Sequence, residues 1–235
     1  MKLVDAPPSP AEAVLALADV MRPVDPTSIR VRIYRTAGKR VLDLVLSILL
    51  LILLSPVVVI VGALVMWDVG RPVLFVQART GRNGEVFPMR KFRTMRPDRR
   101  SATTPPPTHR ERRGVIPSSN DPRLTGLGRW LSRTSLDELP QLVNVVLGDM
   151  SLVGPRPDYV YRLGQYRGNQ HRRFDVAGGV TGPWQVLVGT STDLHEYIEA
   201  DLLYVDRYSL MNDLRLLAAT PRSALRRARR GRSDQ

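Results

Sequence analysis

Between Leu44 and Trp67 the chain runs for 24 residues without a charged side chain. As a helix that stretch is about 36 Å long, against a hydrocarbon core of about 30 Å, which predicts a membrane segment. It is expected to be retained, being too long and too far into the chain for a cleaved signal peptide. The flanking charges argue against a simple crossing. Arg30, Arg32, Arg35, Lys39 and Arg40 precede the apolar run, and Arg71, Arg79, Arg82, Arg90, Lys91 and Arg93 follow it. A spanning helix gathers its basic residues mainly on one side. Ser55 and Pro56 fall near the middle, where proline removes a backbone donor and crowds the preceding turn. A break there leaves arms of about 16 to 21 Å, each too short to cross. The pattern predicts a Pro-broken, re-entrant helix over residues 36–69 that returns to the side it entered.

On either side the pattern shortens. Residues 1–35 form an N-terminal extension, proline-rich and partly disordered at its start. Within it, residues 11–21 are a short amphipathic helix suited to lying on a surface and ended by Pro23 and Pro26. Residues 73–77 and 86–89 are predicted as strands of a hairpin turning at Arg82-Asn83-Gly84. Residues 97–119 are rich in proline, arginine and threonine and predict a mobile loop. Leu142, Val143, Val145, Val146 and Leu147 supply core. Residues 158–170 are polar and helical in tendency, 176–188 strand and loop, 193–208 helical by spacing, and 210–219 one more short helix. The fold class is α+β: a membrane-embedded helix followed, over residues 70–220, by a small, mostly helical domain with a short β-hairpin. Residues 221–235 are a basic tail.

Charge narrows the partners. The formal net charge is +13 in 235 residues, so anionic partners are expected: phosphates, lipid headgroups or nucleic acid. The basic tail and the loop at 97–119 suit an anionic membrane surface. Aromatic residues make up only 6%, which counts against stacking on single strands, and no nucleic-acid motif stands out, so no nucleic acid is expected. The absence of cysteine excludes disulfides and thiolate metal sites, and three histidines without ligand spacing make a zinc centre a poor fit.

The candidate chemistry lies in residues 135–157, SLDELPQLVNVVLGDMSLVGPRP. Asp137 and Glu138 stand together before an apolar segment, and Arg156 is held between Pro155 and Pro157. An acidic pair followed by a rigid arginine suits a phosphorylated substrate. A cation can bridge carboxylate to phosphate, and arginine can grip phosphate oxygens with its planar fork. The structural alternative is a capping box, with Ser135 as the cap and Glu138 reaching back. Pro140 disfavours that register, because its missing N–H would fall inside the helix. With either Ser135 or Asp137 as cap, Asp137 sits at a helix N-terminus, whose partial charge favours the ionised form. Arg79, Lys91 and Arg93 place further cations around the hairpin, either as a solvated face or as a docking surface for phosphate.

The stretch 135–157 resembles the bacterial sugar transferase family, the monotopic polyprenyl-phosphate phosphoglycosyl transferases. Other family-like pieces lie in order around it: Lys39-Arg40 with Asp43, residues 75–81, residues 91–95, residues 121–125, residues 180–186, and Asp201 with Tyr204. The resemblance covers roughly residues 36–220. It implies transfer of a sugar phosphate from a nucleotide-diphosphate sugar to polyprenyl phosphate, initiating an exopolysaccharide or glycoconjugate. It implies Asp137 as nucleophile forming a phosphosugar–aspartyl intermediate, and Glu138 as acid/base or metal-orienting group. Mg²⁺ would be held by Asp137 and Glu138, and phosphate by Arg156, with Arg133, Lys91, Arg93 and Arg79 in support. The expected location is the bacterial inner membrane, with the catalytic domain on its cytoplasmic face. Three positions depart from the family pattern: Ser132 with Arg133 one place later, Ala177-Gly178-Gly179, and Val188-Gly189-Thr190. These leave two other readings open, a catalytically altered member acting as a membrane scaffold and a membrane-tethered basic module binding nucleic acid.

Overall fold

The computed structural model describes residues 8–96, 123–187 and 197–233. The expected loop at 97–119 and the departure at 188–190 lie outside them. Helix α1 (Pro10–Val20) opens on a capping box. Glu12 N–H donates to Ser9 Oγ at 3.3 Å, and Ser9 N–H donates to the Glu12 carboxylate at 2.8 Å. Its apolar stripe, Ala13, Leu17 and Met21, repeats every fourth residue and is fully buried. That face meets protein, not an open surface.

Helix α2 (Ile29–Ile33) continues through a wider π turn (Tyr34–Gly38) into α3 (Lys39–Asp68). Ile29–Asp68 is thus one helical run, long and apolar enough to cross a membrane. The expected break at Ser55-Pro56 is not an interruption: the backbone stays helical through Pro56. Proline at 56 leaves the carbonyl of Ile52 without its usual donor, and the Ser55 hydroxyl donates to that carbonyl at 2.8 Å. The serine repairs locally what the proline removes.

Strands β1 (Leu74–Thr80) and β2 (Val86–Phe92) form the expected hairpin, antiparallel with Gln77 opposite Met89, and each runs three residues further than its hydrophobic pattern suggests. The turn Arg82–Gly84 places Asn83 at φ 55°, a left-handed position that asparagine tolerates. Then follow α4 (Gly126–Thr134), α5 (Gln141–Leu147), β3 (Ser151–Val153) and β4 (Asp158–Tyr159). After β4, the stretch expected to be helical forms two 3₁₀ segments, Val160–Gln165 and Gly168–Phe174. Strand β5 (Gly179–Thr181) leads into α6 (Pro183–Leu187), a helix where loop was expected, because Pro183 at its first turn starts one. Helices α7 (Ile198–Arg207) and α8 (Leu210–Ser233) complete the chain, and α8 continues through Pro221 well past residue 219.

One sheet has the order β2-β1-β4, and β3 pairs with β5 in parallel. The second pair sits against the chain bend at Gly154. A Cβ at Gly154 would strike the Ala177 carbonyl, and one at Gly182 would strike the Gly154 carbonyl. Glycine is therefore required for backbone to approach backbone. The main core gathers Leu17, Met21, Leu142, Val145, Met150, Val153, Tyr204 and Leu216.

The start of α3 is locked to this core. Asp213 accepts from Lys39 Nζ at 2.7 Å, from the Tyr204 hydroxyl at 2.9 Å and from the Tyr34 hydroxyl at 2.5 Å. Asp43 Oδ1 accepts from the Leu152 N–H at 3.0 Å, and Arg40 donates to the carbonyls of Val145 and Val146 at the end of α5. Removing one partner from a buried pair such as Lys39–Asp213 typically costs about 3–5 kcal/mol, since the other charge is stranded. The Lys39-Arg40 and Asp43 motif thus joins the membrane helix to the domain.

Candidate active site

The acidic pair is presented by a tight reversal. Thr125 caps α4 by accepting the Gly128 N–H at 2.8 Å, and α4 ends at Ser135, left-handed at φ 59°. Residues Leu136–Glu138 then make a single 3₁₀ turn, and Pro140 occupies the N-cap of α5. The capping box does not form, because the backbone of Ser135 closes α4 and its side chain does not cap the following turn. Asp137 consequently sits in a short turn, four residues ahead of the first residue of the regular helix it was expected to open. Leu136 and Leu139, on either side of the pair, pack with Val57, Val61 and Val65 from the second half of α3. The carboxylates therefore stand beside the apolar helix α3.

Asp137 is buried, with 6% of its surface exposed. Burial, and then the neighbouring charge of Glu138, push its carboxyl up to about 7, while Lys91 and Arg156 pull the other way. The helix dipole that the sequence expects to favour the ionised form is outweighed by desolvation, since it is the dipole of one short turn. Glu138 is held by Arg156, Nη2 to Oε1 at 2.8 Å. Burial alone would lower the Arg156 pKa, but the charges of Glu138 and Asp137 outweigh it and raise the value. The Arg156 guanidinium also lies 5.6 Å from the centre of the Trp184 ring. Asp137, Glu138, Lys91 and Arg156 thus form one electrostatic cluster.

The other cations stand apart from it in different ways. Arg79 packs 3.6 Å over the Tyr159 ring and donates to Gln77 Oε1 at 2.9 Å and to the Pro157 carbonyl at 3.4 Å. Burial lowers its pKa, and its contacts make it a support behind the 155–157 bend. Arg133 lies in the last turn of α4, and Arg93 follows β2 with its N–H on the Val73 carbonyl. Neither side chain makes a hydrogen bond or ion pair among the described residues. Ser132 is exposed, whereas Gly178 and Gly179 are buried against the 154–157 bend.

Sequence reasoning missed Arg173. It is 1% exposed and pairs at 2.9 Å with Asp201, which is fully buried. The same guanidinium donates to the Arg156 carbonyl at 2.8 Å and to the Tyr166 hydroxyl at 2.5 Å, and Tyr166 donates to Asp158 at 2.7 Å. This network fixes the backbone that carries Arg156. Asp201 belongs to a family-like motif, but Arg173 lies in an ordinary basic run, residues 171–173, with nothing local to mark it as internal.

Among the described residues, no group of three or more histidines or carboxylates gathers to hold a metal ion. Magnesium does not require such a cage, since it commonly binds one or two carboxylates together with substrate phosphates. Asp137 and Glu138 fit that mode, and their mutual repulsion is of the kind a cation relieves.

The family model for the bacterial sugar transferases matches residues 34–227. An undecaprenyl-phosphate galactose phosphotransferase of Salmonella typhimurium is 38% identical over 194 residues, covering 80% of this chain and 40% of that protein. A UDP-glucose:undecaprenyl-phosphate glucose-1-phosphate transferase of Escherichia coli is 36% identical over 190 residues, covering 77% of this chain and 39% of that one. The chain therefore spans about two fifths of the length of these relatives. It covers 87% of a third, an uncharacterized sugar transferase, EpsL, of Bacillus subtilis, at 38% identity over 187 residues. With a match that takes in the membrane helix, the Asp137-Glu138 turn and the Arg156 bend together, the chain belongs to the bacterial sugar transferase family.

Proposed function

We propose that this protein is a membrane-bound phosphoglycosyl transferase, moving a sugar phosphate from a nucleotide-diphosphate sugar to polyprenyl phosphate as the first step of a lipid-carried glycan. The observation that carries this reading is the buried Asp137 carboxylate, set between Glu138, Lys91 and Arg156 and beside an apolar helix. A carboxylate whose pKa lies near neutrality is available both to attack phosphorus and to leave again.

In the first step an Asp137 oxygen attacks the phosphorus bonded to the sugar. The bond from that phosphorus to the bridging oxygen breaks, and nucleoside monophosphate leaves. In the second step an oxygen of polyprenyl phosphate attacks the same phosphorus, the aspartyl bond breaks, and the product is a polyprenyl diphosphate sugar. Arg156 and Lys91 hold phosphate oxygens and offset the charge that gathers there. Glu138 acts as acid/base or orients a cation. Magnesium, when bound by Asp137, Glu138 and substrate oxygens, would neutralise the diphosphate and ease departure of the monophosphate.

The lipid acceptor requires the site to sit at a membrane surface. Leu46, Leu50 and Leu51, in the first half of α3, pack on the main core, and Val57, Val61 and Val65, in the second half, pack with Phe92 and Leu131. Contact of both halves with one domain, together with basic residues on both flanks, supports a helix lying along the cytoplasmic leaflet, unbroken and not crossing it, with both ends on that face. The outward residues Leu49, Ile52, Leu53, Val59 and Ile60 would then meet lipid. Single cysteines at Arg30 and Arg82 should both resist an impermeant thiol reagent in intact cells, and labelling of the first alone would establish a crossing. The activity is tested with purified protein, polyprenyl phosphate and a panel of radiolabelled nucleotide sugars. Release of nucleoside monophosphate that depends on the lipid is expected. Silence with every donor would favour a scaffold.

A further inference from the structure

The N-terminal segment lies outside the stretch matched by the family, which begins at residue 34, yet it reaches the active site. Ala13 of α1 is fully buried against Trp184 and Tyr197, and the Tyr197 hydroxyl donates to the Pro8 carbonyl at 2.7 Å. The far end of the segment is tied down as well. Arg207 donates to the Met21 carbonyl at 3.0 Å, and Asn212 bonds both the N–H and the carbonyl of Arg22. Trp184 is buried in α6, with the Arg156 guanidinium 5.6 Å from its ring centre. Arg156 in turn reaches Glu138 at 2.8 Å. A continuous set of contacts therefore runs from α1 through Trp184 and Arg156 to Glu138.

We infer that α1 is a positioning element for the active site, wedging the Trp184 ring against Arg156 and so fixing the Arg156–Glu138 pair. A ring free to turn would let the guanidinium swing, and Asp137 would lose part of one of the two cations that counter its burial and the charge of Glu138. The groups that face Asp137 are Glu138 on its own turn, Lys91 on β2 and Arg156 on the 155–157 bend. Displacing α1 therefore frees the Arg156 side chain in particular, which a general loss of stability does not do. The inference takes its catalytic meaning from the proposed transferase reading, but its primary test needs no substrate.

The variant is Ala13→Leu, which overfills the contact with Trp184 and Tyr197. Leu15→Ala, on the exposed side of α1, is the control. In the full chain in nanodiscs, the rate at which phenylglyoxal modifies Arg156 is followed by peptide mass spectrometry, with the buried Arg173 as internal reference. Arg156 should react several-fold faster in Ala13→Leu and at the wild-type rate in Leu15→Ala, with Arg173 unchanged in both. With the nucleotide sugar, kcat/KM should fall about tenfold. In the Arg156→Lys background Ala13→Leu should add little further loss, because both act through one contact. Wild-type reactivity of Arg156 in Ala13→Leu, or fully additive losses of kcat/KM with Arg156→Lys, overturns the inference. Ala13→Gly, which empties the same contact, gives the same comparison if Ala13→Leu does not fold. Faster reaction of Arg156 in a protein that turns over no donor retains the positioning role and removes the transferase reading.

Discussion

Replacing Asp137 by asparagine should abolish turnover and at the same time make the folded protein less sensitive to alkali. The Asp137 carboxyl is raised from 3.8 to about 7 in the folded protein by burial and by Glu138. Between those values the unfolded chain is ionised while the folded chain still holds a proton. The folded state then binds more protons, so stability falls as pH rises and stops falling above the folded value. From pH 5 to pH 8 the window spans about two units, and at about 1.4 kcal/mol per unit the loss is about 3 kcal/mol. Asparagine cannot ionise, and the cost of its buried amide is the same at both pH values, so it cancels in the comparison. For a chain of this size 1 kcal/mol corresponds to about 2–4 °C. The melting midpoint of the wild type should therefore drop about 6–12 °C further than that of Asp137→Asn between pH 5 and pH 8. Differential scanning calorimetry in nanodiscs measures this directly. Parallel pH dependence in the two proteins would refute the raised carboxyl.

Arg156→Lys keeps a charge but loses the planar fork that reaches Glu138 and lies near Trp184. kcat should fall at least about tenfold with little change in melting midpoint, and near-normal kinetics would make Arg156 a surface residue in a proline-rich bend. Glu138→Gln removes the charge that helps raise Asp137, so the acid limb of the residual pH–rate profile should move to lower pH. Ser55→Ala leaves the Ile52 carbonyl without a donor in lipid. It should lower the melting midpoint in nanodiscs by the equivalent of about 1–3 kcal/mol, and an unchanged midpoint would mean that another group serves that carbonyl.

The α+β class, the apolar helix and the β-hairpin were legible because each rests on a local pattern: an uncharged run, alternation, and a turn of Arg82-Asn83-Gly84. Asp137, Glu138 and Arg156 were legible as a set because they lie within twenty residues of one another and share chemistry. What was not legible depends on contacts between distant segments. The pKa of Asp137 follows from burial beside β2 and the 155–157 bend, which no helix-start rule reports. Arg173 looks like a solvated cation until Asp201, 28 residues later, is brought to it. The α1 stripe has the same spacing whether it meets lipid or Trp184. At Ser55-Pro56 the sequence shows the lost donor, but only the geometry shows that the serine hydroxyl replaces it.

The central claim is that Asp137 carries the sugar phosphate between donor and lipid. Purified protein should be incubated with UDP-galactose and, separately, UDP-glucose, without polyprenyl phosphate, quenched in acid and weighed intact by mass spectrometry. With whichever donor supports turnover, the wild type should gain the mass of one sugar phosphate, fragmentation should place it on Asp137, adding polyprenyl phosphate should remove it, and Asp137→Asn should gain nothing. Turnover without an adduct on rapid quenching, or an adduct that persists in Asp137→Asn, would contradict the account.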